Sequence, residues 1–189
     1  MQALIAGILL FVLPHFVSSL FPVARDRLRL QWGGNGFRGA YALTVMAGVI
    51  LMAWAYADSA ANPPGPDFYT PPPGMTHATL TLVFLGFLAL GASYGDSHIR
   101  LWLQNPMSIG VALWAVGHLL SNGERVQVMI FVAVLAVAVV DIVVSTARGK
   151  KPSYQPRWAA DGIAVGIGIV GYLIMLFLFH PYILHVPVL

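Results

Sequence analysis

A chain of 189 residues that is 58% hydrophobic and 9% charged departs far from the roughly 25% charged residues of a soluble domain. Its net charge of +3 comes from basic residues flanking apolar runs, so nucleic acid is not an expected partner. The absence of cysteine excludes disulfides, iron–sulfur clusters and thiolate ligands.

Charge-free runs cover 3–24, 39–57, 75–95, 101–122 and 162–189, and 126–147 is interrupted only by Asp141. A spanning helix needs about 20 mostly apolar residues. The expectation is an all-α polytopic membrane protein with six transmembrane helices in one bundle, a single domain over 1–189. The lipid bilayer is its main surroundings.

The first span, about 3–22, carries Pro14 beside His15. It lacks the basic leader of a secretory signal, and its charges follow the apolar run, so it reads as a retained helix. "ARDRLRLQWGGNGFRG" is basic and amphipathic and suits the inner headgroup layer. The second span covers about 39–57. "DSAANPPGPDFYTPPPGM" follows, with six prolines that remove donors and fix φ, which predicts an external extended loop. Trp54, Tyr56, Phe68 and Tyr69 read as interface aromatics.

The third span, about 76–95, opens on Thr76-His77, and "DSHIRLW" returns the chain on the inner side. The fourth, about 104–122, has Pro106 in its first turn, where a missing N–H costs little. "SNGE" is a tight external turn that makes the fourth and fifth spans antiparallel neighbours. The fifth runs to about Ala147, "RGKKPSYQPR" is an inner loop, and the sixth covers about 162–180. Gly91-xxx-Gly95 and Gly162-xxx-Gly166 have the small-residue spacing of close helix packing.

Of ten Lys and Arg residues, only Arg125 falls in a loop of the other parity. Arg25, Arg27, Arg29, Arg38, Arg100, Arg148, Lys150, Lys151 and Arg157 share one side. The positive-inside rule places that side in the cytoplasm and both termini on the non-cytoplasmic side of the membrane.

Ionisable groups within a membrane are costly and often functional. Those here are His15, His77, His118, His180, Asp141 and Asp161. His180 and His185 read as outer interface residues and His98 as a solvated loop residue. Asp141 reads as paired with Arg148 or hydrogen-bonded inward. His15, His77 and His118 sit on different spans among small or polar neighbours, with Ala115, Ser121 and Asn122 sharing the stripe of His118. Neutral imidazole ligates iron well, and two on different helices suit a haem buried in apolar walls. His15 and His118 lie deepest but differ by roughly 10 Å in height at 1.5 Å per residue. His77 is closer in height to His118, and the pair stays open at this point. A transporter would want broken helices or paired midplane charges, and neither is clear.

"LPHFVSSLFPVARDRL", "GFRGAYALTVMAG" and "NPMSIGVALWAVGHLLSNGE" resemble the NnrU family of bacterial membrane proteins. That family accompanies nitrite and nitric oxide reductases in denitrification. It is similar in turn to the 15-cis-zeta-carotene isomerase, an integral membrane haem-b enzyme. The resemblance implies axial haem ligation by His15 and His118, and it matches His77 to a further histidine. It implies an accessory role beside respiratory or denitrification membrane proteins. The alternatives are a haem-dependent cis-trans isomerase of a polyene or other lipophilic small molecule, and a cofactor-free transporter or assembly factor. Two positions depart from the pattern: Ala115 replaces the isomerase's cysteine three residues before His118, and Asn105-Pro106 replaces the usual His-Pro. The first argues against a ligand-switching isomerisation and leaves haem binding intact.

Overall fold

A computed structural model describes residues 1–149, 151–186 and 188; Lys150 of the basic cluster and the end of the last apolar run at Pro187 and Leu189 lie outside them. Every regular element among the described residues is helical. These are α1 (Gln2–Leu20), α2 (Pro22–Ala61), α3 (Met75–Gly91), α4 (His98–Leu103), α5 (Pro106–Ser121), α6 (Arg125–Ala147) and α7 (Trp158–Ile174). α7 continues as a π-helix over Met175–Leu184. Four of these helical stretches, α1, α2, α6 and α7 with its extension, are long and apolar enough to cross a bilayer, while α3 and α5 are shorter apolar helices of 17 and 16 residues. Leu43, Ile50, Val143, Ile163, Val170 and Phe177 all stand exposed on helix surfaces. So much outward apolar surface is stable against lipid and not against water.

The chain divides into two compact units. The first comprises Met1–Pro71 and Asn122–Val144, the second Pro72–Ser121 and Ser145–Leu189.

In the first unit α1 packs on α2 through Gly7 and Gly48. A Cβ on Gly7 would stand 2.9 Å from the Gly48 carbonyl, and one on Gly48 would stand 2.8 Å from that of Gly7. The crossing therefore brings backbone to backbone, the usual economy of membrane helices. Leu4, Met52 and Val126 form the buried core beside it, with Ile8, Phe11, Ala55 and Tyr56 packed around them. α2 contains a break at Gly33 (φ 72, ψ 160), a backbone region essentially reserved for glycine. The break separates the basic amphipathic Pro22–Trp32 stretch, expected as an interfacial loop and found helical, from the apolar length that follows. The proline-rich segment after α2 is strapped to the turn before α6. Phe68 N–H donates to the Gly123 carbonyl at 2.9 Å and the Tyr69 hydroxyl to that of Asn122 at 2.7 Å. Arg125 donates to the Pro66 carbonyl and lies 5.0 Å above the Phe68 ring. Gly123 abuts the Tyr69 carbonyl so closely that no Cβ fits there.

In the second unit α3 is the central helix, with α5 and α7 both packed on it. Gly86 and Gly110 make the α3–α5 crossing, where a Cβ on Gly110 would stand 2.6 Å from the Gly86 carbonyl. Gly91 meets Ala164 and Gly168 at the α3–α7 crossing. Of the two glycine pairs expected from spacing, only Gly91 packs this way. Gly95 lies in the turn after α3 with φ 79, and Gly162 and Gly166 face open space. The packing stripe of α7 is Ala164–Gly168, offset by two residues, about 200° around a helix of 3.6 residues per turn.

Candidate functional site

His118 stands in the last turn of α5. That helix begins at Pro106, where the missing N–H is no loss, and the Asn105 side chain accepts from the Ser108 N–H at 3.3 Å. Asn105 therefore acts as an N-cap, a physical reason for asparagine before the proline. The opposite end is anchored on α3: the Thr79 hydroxyl donates to the Gly117 carbonyl at 2.9 Å and also bonds Ser121 at 2.5 Å. Ala115, one turn before His118, is fully buried.

The imidazole of His118 is oriented by its own helix. Its Nδ1 lies 2.8 Å from the Trp114 carbonyl, and a carbonyl only accepts. Nδ1 must then carry the proton, and the lone pair of the neutral ring sits on Nε2. Fixing one ring nitrogen to a carbonyl is how proteins prepare the other for a metal. The Trp114 ring, 4.7 Å away, forms one wall.

The residue brought against His118 is His180. Their ring centres are 6.2 Å apart and their planes 17° from parallel. His180 repeats the same arrangement, with Nδ1 2.7 Å from the carbonyl of Met175, five residues back. That spacing belongs to the π-helix, which reaches i−5 where an α-helix reaches i−4. Pro181 lies inside the π-helical stretch, and its ring would crowd the carbonyl four residues back in an α-helix. Reading His180 as an outer interface residue did not foresee its place beside His118. The available signal was the His180-Pro181 pair in an otherwise apolar helix.

His15 lies in the first unit. Its Nδ1 is 2.6 Å from the Phe11 carbonyl, and its ring meets Phe11 at 4.6 Å and Tyr41 edge-on at 5.4 Å. Pro14 loosens this turn by removing a helix donor. One turn on, Ser19 donates to Asp141 at 3.3 Å, one of the two arrangements expected of that acid. His77 is exposed near the start of α3, and Thr81 bonds its backbone carbonyl. Among the described residues the His77 side chain makes no hydrogen bond, ion pair or ring contact with His118.

His98 is not a solvated loop residue. It opens α4, with Nδ1 2.6 Å from Asp161 Oδ2 and its ring stacked at 4.2 Å on Trp158. The other carboxylate oxygen accepts the Ile99 N–H at 3.1 Å. Ser97, fully buried, caps the same helix through the Arg100 N–H, and its carbonyl receives the Tyr154 hydroxyl at 2.8 Å. Burial pushes the Tyr154 hydroxyl above its usual range, so it stays a donor at physiological pH. Arg157 N–H donates to the Asp96 carbonyl at 2.9 Å. These bonds fasten the 93–97 turn to the segment before α7.

No group of three or more His, Asp or Glu residues able to enclose a metal ion occurs among the described residues. What the second unit offers is a pair of oriented imidazoles. That donor set suits a prosthetic group bringing its own equatorial nitrogens, not a bare ion that needs a protein cage. A family model described as NnrU protein matches residues 3–188. No curated protein and no solved structure matches the chain.

Proposed function

The chain belongs to the NnrU family, and on that premise we propose that it is an inner-membrane protein holding a b-type haem through His118, in an accessory role to nitrogen-oxide respiration. The observation that carries the haem reading is the hydrogen bond from His118 Nδ1 to the Trp114 carbonyl, which puts the ring's lone pair on Nε2. When bound, haem supplies a redox-active iron whose potential its axial ligands and dry surroundings set. The chain's own part is to hold and orient the imidazole, and to exclude water with Trp114 and the apolar helices. Buried Ala115 offers no thiol beside His118. This favours ligation by imidazoles over the ligand exchange expected of an isomerase.

Six spans, with both termini on the non-cytoplasmic side, complete the proposal. The strap between the 62–71 segment and the 122–124 turn supports it within the first unit, and the bonds between the 93–97 turn and the 151–157 segment support it within the second. Each joins loops of equal parity. Arg125, the sole basic exception, is held by Pro66 and Phe68.

The test is the visible spectrum of the detergent-purified protein from haem-replete cells. We expect a Soret band that is lost or shifted by His118→Ala. A colourless protein, or a band indifferent to that change, overturns the haem reading.

A further inference from the structure

We propose that His180 is the second axial ligand, so that the haem is held within the second unit between α5 and the π-helical end of α7. This rests on the haem reading above. Three observations converge on it. First, His180 repeats the preparation of His118: its Nδ1 faces a backbone carbonyl at 2.7 Å, which leaves the lone pair on Nε2. Second, two imidazoles binding opposite sides of one metal ion, each nitrogen about 2.0–2.1 Å away, have ring centres roughly 6 Å apart. The observed separation is 6.2 Å, with the planes only 17° from parallel. Third, α5 and α7 each pack on α3 and not on one another among the described residues. The two rings therefore meet between helices that do not pack on one another. Trp114 and Phe179 flank the rings, giving apolar walls to a flat hydrophobic group.

The π-helical winding is explained by the same assignment. π-turns are rare and concentrate at functional sites. Here one turn gives His180 its i−5 carbonyl partner, which an α-helix would not offer in that register. Pro181 lies inside the stretch, and its ring clashes with the carbonyl four residues back in an α-helical register.

The test compares the full-length protein with His180→Ala, His118→Ala, His15→Ala and His77→Ala variants, all purified in detergent. Visible absorption and low-temperature electron paramagnetic resonance read the spin and ligation state of the iron. The expected result is a six-coordinate low-spin haem in the parent protein. His180→Ala loses that signature and becomes high-spin while keeping a Soret band, and added imidazole restores the low-spin form. His15→Ala and His77→Ala leave the spectrum as it was. If His180→Ala fails to accumulate, His180→Met answers the same question, because a thioether in the axial position changes the spectrum without removing the haem.

A low-spin spectrum untouched at His180 but lost at His15 or His77 overturns this assignment and leaves the haem reading standing. A parent protein with no Soret band overturns both.

Discussion

Asp161 engages both carboxylate oxygens, one with His98 Nδ1 at 2.6 Å and one with the Ile99 N–H at 3.1 Å. It thus closes the first turn of α4 from another helix, where negative charge also complements the helix dipole. Removing an acceptor from partly buried donors costs more than the bond itself is worth, because the donors lose water as well. Asp161→Ala is therefore expected to lower the melting temperature of the purified protein by several degrees. Asp161→Asn, which keeps one carbonyl acceptor, should lower it less. Equal melting temperatures for all three proteins, followed by size-exclusion chromatography after heating, would show that the pair contributes nothing. This pair was not legible in the sequence, since 63 positions separate its members and nothing local links them. His118 was legible, because an imidazole inside a charge-free run stands out against its neighbours. His180 was equally visible as a residue, but its position depends on π-helical winding that α-periodicity does not describe.

Among the elements, the apolar runs gave the helices and most of their ends, because twenty residues without charge leave few choices in a bilayer. The crossings were harder to read. Small-residue spacing marks glycines able to pack, but not which side of the helix the partner occupies. Gly162 and Gly166 have the spacing and face open space, whereas Gly86 and Gly110, on separate helices, meet across α3 and α5. The contrast gives a paired prediction. Gly110→Leu forces a side chain into the backbone of α3 and should cost about 1–3 kcal/mol or more, as overpacking does where backbone cannot yield. Gly166→Ala meets no atom and should be neutral or slightly stabilising, since alanine is the better helix former by up to about 1 kcal/mol. Thermal unfolding of the two variants in the same detergent checks both signs, and a Gly110→Leu protein as stable as the parent would contradict the α3–α5 crossing.

For the whole molecule the number of crossings turns on α3 and α5. At 1.5 Å per residue their 17 and 16 residues reach only about 25 and 24 Å, short of a hydrocarbon core of about 30 Å. Both begin or end beside short turns that add length, and the positive-inside pattern asks both to cross. The absence of native cysteine makes the question directly measurable, since every introduced thiol is the sole reporter. Asp67, Tyr94, Glu124 and Lys151 are all exposed in the segments between helices. With six crossings, a membrane-impermeant maleimide added to intact spheroplasts should label Asp67→Cys and Glu124→Cys. Tyr94→Cys and Lys151→Cys should react only after permeabilisation. If α3 and α5 instead turned back within the bilayer, Tyr94→Cys would label from the same side as Asp67→Cys. The Tyr94 position alone therefore separates four crossings from six. Six crossings and four alike put the Ser121 end of α5 and the Leu184 end of the π-helix on one side of the membrane, the arrangement His118 and His180 need in order to meet at a common height, so the labelling result and the haem assignment are tested independently.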